Sequence, residues 1–281
     1  MKTWFITGAA RGFGVELVRA ALARGHHVVA TARDSARIKE LLPDAGDRLL
    51  ALDLDVTDPA AAQRAVGTAV DTFGRIDVVV NNAGRGLLGA VEEASDEAVR
   101  AVYDVNVFGT LNVQRAVLPV LRAQRSGHVV NISSVGGLVG SPGWGIYNST
   151  KFAVEGFTEA LSRELDPLGV HVTLVEPGYF RTDFLDASSL HTAGTEIADY
   201  AGTAGAMRET ATRVNHSQPG DPVKAAAAIV TITEAPRPPL RLLLGSDCVA
   251  NVETKTGSLL ADIEQWRDLS LSTDHDDVAA A

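Results

Sequence analysis

Tyr147 and Lys151 are the two residues with the clearest chemical potential in this sequence. They lie four positions apart in a segment with helical spacing, so both side chains fall on one face of the predicted helix. An ammonium beside a phenol favours the phenolate, and we expect it to lower the tyrosine pKa from its usual value of about 10. A tyrosine tuned in this way exchanges a proton with a substrate near neutral pH, which predicts acid/base catalysis.

A glycine-rich turn follows the first apolar run and leads directly into a helical pattern. The turn reads Thr7-Gly8-Ala9-Ala10-Arg11-Gly12-Phe13-Gly14. We expect Gly8 to permit the sharp turn, Gly12 to let the backbone approach a pyrophosphate, and Gly14 to let the helix pack closely on the sheet. N–H groups at the start of the helix would then face the anion. The pattern predicts a dinucleotide site, with an ordinary loop between strand and helix as the alternative.

The end of the second apolar run indicates which dinucleotide is bound. An acidic residue there would bind the ribose hydroxyls of NAD, but this sequence has Ala32 followed by Arg33. Arg33, joined by Arg11, offers guanidinium groups to a 2′-phosphate, so NADP(H) is favoured over NAD(H). The alternative is that Arg33 is a solvated charge beside its acidic neighbour. Asp55 and Val56, after the third run, are expected to contact the adenine.

Composition excludes several classes of protein. Of 281 residues, 46% are apolar and 21% are charged, which is typical of a globular chain and not of a disordered one. The net charge of −10 repels phosphate backbones and anionic bilayers, so neither nucleic acid nor a membrane is expected as a partner. The lone Cys248 and the lack of a leader pattern predict a cytoplasmic setting. The scattered histidines predict no metal site.

Strand and helix patterns alternate along the chain. Apolar runs rich in Val, Ile and Leu predict strands at 3–7, 27–31, 48–52, 77–81, 128–133, 170–175 and 240–244, and helical spacing predicts helices at 13–24, 59–73, 96–123, 147–165 and 221–233. This alternation indicates an α/β chain with a parallel sheet buried on both faces. Pro119 is expected to kink or end the long helix before Gln124.

Two segments depart from the alternation. Residues 179–220 are too long for an ordinary connection and predict a lid over a site. The region 246–281 predicts a helix at about 259–269 and then a polar tail, belonging to the same domain as residues 1–245. The predicted fold is therefore a single-domain Rossmann fold: a seven-stranded parallel sheet flanked by helices, with a substrate-loop insertion and a C-terminal helical extension.

The order of motifs resembles the short-chain dehydrogenase/reductase family over about residues 3–245. The motifs are the glycine turn, Asn81-Asn82-Ala83-Gly84, Ser134, Tyr147-x-x-x-Lys151 and Pro177-Gly178. The resemblance implies that Tyr147 is the general acid/base and that Ser134, thirteen residues earlier, hydrogen-bonds the substrate oxygen. It implies that Lys151 lowers the tyrosine pKa and holds the nicotinamide ribose, and that Asn106 holds a water on the proton path. Ser133 competes with Ser134 and is expected to point to the other side of the strand.

The resemblance also extends the cofactor site. It implies that Asn82, Ala83 and Gly84 let the cofactor ribose approach, and that Pro177, Gly178 and Thr182 receive the nicotinamide carboxamide. The stretch at 176–184 is similar to the hydroxysteroid-dehydrogenase-like branch. Apolar residues of the lid and of the segment after Ser134 are expected to line a pocket: Tyr179, Phe180, Phe184, Leu185, Leu190, Leu138, Val139 and Trp144.

These motifs together predict an NADP(H)-dependent oxidoreductase that interconverts a moderately apolar ketone or aldehyde and its alcohol. Two alternatives stay open: an NADP(H)-binding sensor without turnover, and a sugar-nucleotide epimerase or dehydratase of the related extended type. The glycine spacing and the short C-terminal region disfavour the last. The resemblance further implies a homodimer or homotetramer paired through helices at about 96–123 and 147–165.

Overall fold

A computed structural model describes residues 1–275 of the chain. Seven parallel strands form one sheet in the order β3-β2-β1-β4-β6-β7-β9, and a separate parallel pair joins β5 to β8. The strands are β1 Thr3–Thr7, β2 His27–Ala32, β3 Leu49–Asp53, β4 Val78–Asn81, β5 Gly86–Leu88, β6 Gly127–Ile132, β7 Val170–Pro177, β8 Leu190–Thr192 and β9 Arg241–Leu244. The order reverses between β1 and β4, which opens a crevice at the carboxyl ends of the strands.

Nine α-helices surround and extend the sheet within the described residues. They are α1 Gly12–Ala23, α2 Ala36–Leu41, α3 Pro59–Phe73, α4 Asp96–Tyr103, α5 Thr110–Gln124, α6 Gly145–Leu165, α7 Ala206–Val214, α8 Pro222–Glu234 and α9 Ser246–Leu271. No helix within residues 1–275 has the length and the apolar character needed to cross a bilayer.

The sheet is buried on both faces, which confirms the predicted Rossmann fold. One core cluster packs α3, α5 and α6 against one face and includes Phe5 and Leu121, both without exposed surface. The other packs α1 and α8 against the opposite face around Trp4 and Ile229. All seven predicted strands of the large sheet are found, because each carries the continuous apolar run that burial on two faces requires.

The single helix predicted over 96–123 is wrong in detail. Residues Asp104–Gly109 form a π-helical turn between α4 and α5, and α5 continues through Pro119 to Gln124. Of the two outcomes predicted for Pro119, an end of the helix before Gln124 is therefore wrong, and a kink stays a prediction. Pro119 and Arg115, the residue whose carbonyl loses its helical partner, are both exposed, so water can satisfy that carbonyl.

The two irregular regions behave differently. The predicted lid folds into β8, α7 and short turns, and β8 pairs with β5 from Gly86↔Leu190 to Leu88↔Thr192. The C-terminal helix is longer than predicted, because α9 already begins at Ser246, directly after β9. The end of the predicted polar tail, residues 276–281, lies outside the described residues.

Candidate active site

The glycine turn has the geometry that its spacing predicts. Gly8 and Gly12 adopt φ angles of +65° and +51°, a region that side chains rarely enter. A Cβ added to Gly14 would lie 2.1 Å from the carbonyl oxygen of Gly8, so only glycine allows α1 to start this close to the turn. No side chain caps the first turn of α1, whose residue before the helix is Arg11. The backbone N–H groups there are free to bind an anion.

The segment after β4 fixes the turn from the other side. The Asn82 side chain donates hydrogen bonds to the carbonyl oxygens of Thr7 (2.9 Å) and Gly8 (3.0 Å). The Thr7 hydroxyl in turn accepts the backbone N–H groups of Asn82 and Ala83, each at 3.0 Å. A Cβ on Gly8 would lie 2.9 Å from the Cα of Ala83. Small residues and one amide therefore hold the two loops together at the point where the strand order reverses.

A cavity of about 790 Å³ runs along the carboxyl ends of the strands. It is lined by sixteen of the predicted site residues: Gly8, Arg11, Gly12, Phe13, Arg33, Asp55, Val56, Asn82, Ala83, Gly84, Ser134, Tyr147, Lys151, Pro177, Gly178 and Thr182. Gly14 and Asn106 are not among its lining residues. Gly14 instead serves the packing of α1 on the turn, as predicted, and Asn106 lies behind the wall.

Four guanidinium groups line the end of the cavity beyond β2. Arg33 follows β2, and Arg11, Arg37 and Arg85 also line this cavity. Burial and then the charge of Arg33 lower the pKa of both Arg11 and Arg85, and Arg37 lowers that of Arg11 as well. Arg33 thus repels Arg11 and Arg85, and Arg37 repels Arg11, while Asp183 and Asp186 offset part of this repulsion at Arg11. This arrangement suits a ligand with a concentrated negative charge, such as a phosphate.

Asp55 fixes the turn after β3, and its predicted contact with adenine stays a prediction. Its carboxylate accepts hydrogen bonds from the backbone N–H (2.9 Å) and the hydroxyl (2.7 Å) of Thr57. Asp55, Val56 and Thr57 all line the cavity, so this turn forms the wall against which a base would stack. Asp53, its neighbour along the strand, instead accepts the backbone N–H of Ser35 at 2.8 Å and fixes the loop after β2.

Tyr147 lies at the other end of the cavity and is almost fully buried, with 7% of its surface exposed. Its ring packs against Trp144 and Phe184, with centroids 5.5 and 5.6 Å away. Burial raises the pKa of Tyr147 above its ordinary value, while hydrogen bonding with Ser134 acts in the opposite direction. The expected lowering of this pKa by Lys151 is not found, because removal of the phenolate from water outweighs it.

Lys151 occupies the same face of α6 as Tyr147. Its ammonium lies 5.8 Å from the centre of the Tyr147 ring and donates a hydrogen bond to the carbonyl oxygen of Ile132 at 2.9 Å. Burial lowers the pKa of Lys151 to about 8, and the carboxylate of Glu155 one turn further along α6 opposes that shift. Lys151 is therefore a cation near neutral pH whose charge is held at the cavity wall.

The two serines after β6 face different neighbours. The Ser134 hydroxyl accepts the backbone N–H of Gly136 at 3.0 Å and hydrogen-bonds Tyr147. The Ser133 hydroxyl is buried beside the Glu155 carboxylate, close to Gly137, and has no hydrogen-bond partner within the described residues. The structure thus puts Ser134 beside the tyrosine and gives Ser133 a place in the core, as the alternation along a strand predicts.

Asn106 positions the wall of the cavity through its side chain. It lies in the π-helical turn, where its amide donates to the carbonyl oxygen of Arg85 (2.9 Å) and to the hydroxyl of Thr150 (3.0 Å). Its side-chain oxygen accepts the backbone N–H of Arg85 at 2.9 Å. Both amide hydrogens are donated within the protein, which fixes the orientation of the side chain. The water-holding role implied by the resemblance stays a prediction.

A buried charge cluster behind Lys151 was not foreseen from the sequence. Arg241 on β9 donates to the carboxylates of Glu155, Glu176 and Glu159, the last two at 2.8 and 3.0 Å. Glu155 and Glu176 are 5% and 0% exposed. Burial and the neighbouring Glu155 charge raise the pKa of Glu176 to about 7. The role of Glu176, which stands before Pro177 at the cavity, is thus to tie β7 to α6 and β9.

The lid is fastened to the body at several points. Arg11 donates to the hydroxyl of Ser188 at 2.9 Å and to its carbonyl oxygen at 3.1 Å. The buried carboxylate of Glu93 accepts the backbone N–H of Ile197 at 2.9 Å and bonds Arg208 of α7. One attachment is therefore at the cavity mouth, and the other is on the far side of the lid.

The predicted apolar pocket is largely present. Six of the eight predicted residues line the cavity: Val139, Trp144, Tyr179, Phe180, Phe184 and Leu185. Leu138 and Leu190 do not line it, and Leu190 packs behind it with Leu88 and Tyr147. Gln218, which sequence reasoning missed, also lines the cavity. It is 1% exposed, and its amide atoms have no partner among the described residues.

Comparison with known proteins agrees with this geometry. A family profile described as short chain dehydrogenase matches residues 2–193. "Oxidoreductase BOA17" of Botryotinia fuckeliana is 40% identical over 97% of this chain and 99% of its own length. "3-ketodihydrosphingosine reductase" of Bacteroides thetaiotaomicron is 37% identical over 85% of this chain and 86% of its own. "Estradiol 17-beta-dehydrogenase 1" of Rattus norvegicus is 37% identical over 84% and 71%.

Similar solved structures are also dehydrogenases of this kind, and those described with a bound cofactor contain either NAD or NADP+. A short-chain dehydrogenase from Streptomyces avermitilis superposes with a TM-score of 0.91 at 39% identity, covering 98% of this chain and 100% of that one. A short chain dehydrogenase/reductase from Burkholderia phymatum in complex with NAD has a TM-score of 0.77 at 26% identity, covering 100% and 98%. A serine dehydrogenase complexed with NADP+ has a TM-score of 0.73 at 28% identity, covering 86% and 94%. This chain belongs to the short-chain dehydrogenase/reductase family of oxidoreductases.

Proposed function

We propose that the protein is an NADP(H)-dependent oxidoreductase that interconverts a moderately apolar ketone or aldehyde and the corresponding alcohol. One observation carries the proposal: a single cavity joins a buried Tyr147, Ser134 and Lys151 at one end to four arginines at the other. The glycine turn lies between these ends. A Cβ at Gly8 or Gly14 would clash with the backbone that the turn packs against, and the first N–H groups of α1 carry no side-chain cap, which supports a pyrophosphate site there. When bound, the nicotinamide supplies or accepts the hydride.

Each residue at the catalytic end then has a defined part. Tyr147, kept protonated by burial, gives its proton to the carbonyl oxygen during reduction. Ser134 donates a hydrogen bond to the same oxygen, where negative charge develops. Lys151 holds a ribose hydroxyl and contributes a positive charge beside the phenol. Trp144 and Phe184 exclude water around the Tyr147 ring.

The preference for NADP(H) rests on the arginines. Arg33 stands where an acid would bind the ribose hydroxyls of NAD. Its charge lowers the pKa of Arg11 and of Arg85, and the charge of Arg37 lowers that of Arg11. A 2′-phosphate relieves their mutual repulsion, whereas a ribose hydroxyl does not. Acidic side chains offset part of this positive charge: Asp34 and Asp183 line the same cavity, and the charges of Asp183 and Asp186 raise the pKa of Arg11.

The lid favours an apolar substrate. Aromatic and aliphatic side chains of the lid face the tyrosine, and two relatives are named as a reductase of 3-ketodihydrosphingosine and a dehydrogenase of estradiol. Both names denote oxygen chemistry on a largely hydrocarbon skeleton. We propose this class of substrate for the present chain. We do not propose either of the two named compounds as its substrate.

We also propose a homodimer or homotetramer paired through α4, α5 and α6, in the cytoplasm. Phe108 and Phe152 on this side of the molecule are 53% and 47% exposed, as unpaired interface residues would be. Residues 1–245 form the catalytic body, and 246–281 extend the same domain.

The test is consumption of NADPH and of NADH, followed by absorbance, with a panel of alkyl and aryl ketones and aldehydes. We expect turnover of at least one apolar carbonyl and a higher kcat/KM for NADPH. Tight NADPH binding without turnover of any panel member would favour a sensor. Tightly bound NAD in the purified protein, with no need for added cofactor, would favour an epimerase.

A further inference from the structure

The last helix of the structure carries an apolar surface that the body of the protein leaves uncovered. Every residue from Glu253 to Leu271 in α9 is exposed. Six large apolar side chains are among them: Leu259, Leu260, Ile263, Trp266, Leu269 and Leu271. A single helix that packs against nothing is marginally stable in water, because most helical stability comes from burial of an apolar face. This helix therefore needs a partner surface.

The spacing of these residues is that of a helix that pairs with another helix. Apolar or small side chains recur at alternating intervals of three and four, which places them along one side of α9. We call this row the α9 seam; it consists of Val249, Val252, Thr256, Leu259, Ile263 and Trp266. Leu260 and Leu269 flank it on either side. A row with this period favours a second helix lying almost parallel or antiparallel to the first.

We propose that the α9 seam pairs antiparallel with the α9 seam of a second copy of this chain. In the register that we assign, Val249 faces Trp266 of the second copy, and Val252 faces Ile263. Thr256 faces Leu259 at the centre, and the two-fold axis repeats each of these contacts. Trp266 thus meets the smaller Val249 and Leu259 meets the smaller Thr256, which lets side chains fill the space between the helices.

The charges that border the seam select this register. In it, Glu253 and Arg267 of the second copy border one side of the seam, offset by about 7.5 Å along the axis, and Lys255 and Asp262 border the other side, offset by about 3 Å. Symmetry doubles both attractive pairs. A shift by seven residues in one direction places Asp262 against Asp262, and a shift in the other direction places Lys255 against Lys255.

The same charges argue against a lipid surface as the partner. Between positions 253 and 271 there are four acidic residues, Glu253, Asp262, Glu264 and Asp268, and two basic ones, Lys255 and Arg267. Helices that lie on anionic bilayers are instead rich in Lys and Arg on their polar face. The whole chain, with its net charge of −10, is repelled as well. A second copy satisfies both the apolar seam and its flanking charges.

Sedimentation velocity of the full chain at micromolar concentration tests the pairing. We expect Ile263→Asp, which places a charge in the seam, to halve the mass of the assembly. Asp268→Lys on the outward face is the matched control and should leave the mass unchanged. A wild-type monomer, or an Ile263→Asp variant that assembles as the wild type does, would overturn the proposal. If the chain pairs only through α4, α5 and α6, the Ile263→Asp variant will assemble as the wild type does.

A charge exchange tests the register without disturbing the apolar seam. Arg267→Glu turns both symmetric attractions into repulsions, so we expect the dissociation constant to rise about tenfold. Adding Glu253→Arg to the same chain should restore wild-type association. Failure of the double variant to recover, after Arg267→Glu has weakened association, contradicts the assigned register. No weakening by Arg267→Glu contradicts it equally.

Disulfide trapping distinguishes antiparallel from parallel pairing. The native Cys248 is buried, so introduced cysteines on α9 react selectively. We expect Val252→Cys combined with Ile263→Cys to form a covalent dimer under mild oxidation. Val252→Cys alone should not, since the two copies of position 252 are about 16 Å apart along an antiparallel pair. Efficient dimerisation of the single variant would establish parallel helices and refute the proposal.

Discussion

The two ends of the cavity differ in what perturbs their ionisable groups: mainly burial at one end, and burial together with neighbouring like charges at the other. At the catalytic end, Tyr147 and Lys151 are nearly removed from water, and burial shifts both pKa values towards the neutral forms. At the arginine end, Arg33 is exposed, and its charge acts on Arg11 and Arg85 across the opening. Under the proposed function, chemistry depends on desolvation and cofactor recognition depends on excess charge. Substitutions at the two ends should have separable effects on turnover and on cofactor affinity.

The largest difference between the effect on turnover and the effect on cofactor affinity is expected for Tyr147→Phe. Loss of the proton donor should lower kcat by about 10²–10⁴, because general acid catalysis contributes that much. NADPH affinity, measured by fluorescence titration, should change little, since the ring still fills its place between Trp144 and Phe184. Tyr103→Phe is the control, a hydroxyl that bonds Ser149 outside the cavity. Turnover by Tyr147→Phe at the wild-type rate would remove the catalytic assignment.

Substitutions at the arginine end of the cavity should change only the affinity for the cofactor. Arg33→Ala and Arg37→Ala should each weaken NADPH binding by roughly 10–100-fold, as expected for a lost hydrogen bond to a charged group, and leave NADH binding nearly unchanged. Calorimetric titration with both dinucleotides measures this difference. Arg19→Ala, an exposed arginine paired with Glu16, serves as the control. Equal losses for NADPH and NADH would show that the arginines do not recognise the 2′-phosphate.

A third prediction concerns how Glu176, in the charge cluster behind Lys151, affects the free energy of unfolding. The pKa of Glu176 is raised from 4.5 to about 7, so between these pH values the folded state binds more protons than the unfolded state. Its stabilising contribution is complete below about pH 4.5 and is lost as the pH rises through 7. Glu176→Gln should remove this loss and raise the free energy of unfolding at pH 8 by up to about 3 kcal/mol. Urea denaturation at pH 5 and pH 8 measures the change.

The control for that experiment is Glu159→Gln, which removes a partly exposed partner of the same Arg241. It should leave the pH dependence of stability close to that of the wild type. A Glu176→Gln variant that keeps the full fall in stability between pH 5 and pH 8 would assign the titration to another group.

The smallest effect is expected at the lid. Ser188→Ala removes the hydroxyl that Arg11 bonds but keeps the backbone oxygen, so the KM for NADPH should rise only about two- to threefold. Ser217→Ala, whose hydroxyl bonds only Val214 in the same lid, should have no effect on KM. A tenfold rise for Ser188→Ala would mean that this contact holds the lid in place.

The sequence foretells those parts of the molecule that depend on local pattern. The seven strands of the sheet are visible because burial on two faces demands continuous apolar runs, and the glycine turn is visible because backbone contact demands glycine. The π-helical turn around Asn106 is not visible, since its apolar spacing differs little from that of an α-helix. Contacts between distant residues, such as Arg241 with Glu155, leave no local trace at all.

Two features of the site, the position of Arg37 and the raised pKa of Tyr147, leave only a weak trace in the sequence. Arg37 follows Arg33 by four residues, the spacing that places two side chains on one helical face, although α2 begins only at Ala36. The raised pKa of Tyr147 follows from its position between Trp144 and Phe184, and Phe184 comes from the lid. A prediction based on Lys151 alone therefore had the direction of the shift wrong, because it left out burial.

Hydride transfer is the most direct test of the central claim, namely that this cavity reduces a carbonyl. NADPH labelled with deuterium at both C4 positions is incubated with the protein and with each ketone of the panel that supports NADPH consumption, and the alcohol is analysed by mass spectrometry. The account predicts one deuterium on the carbinol carbon of the product. Product alcohol without deuterium, or no alcohol from any ketone while NADPH binds normally, would contradict it.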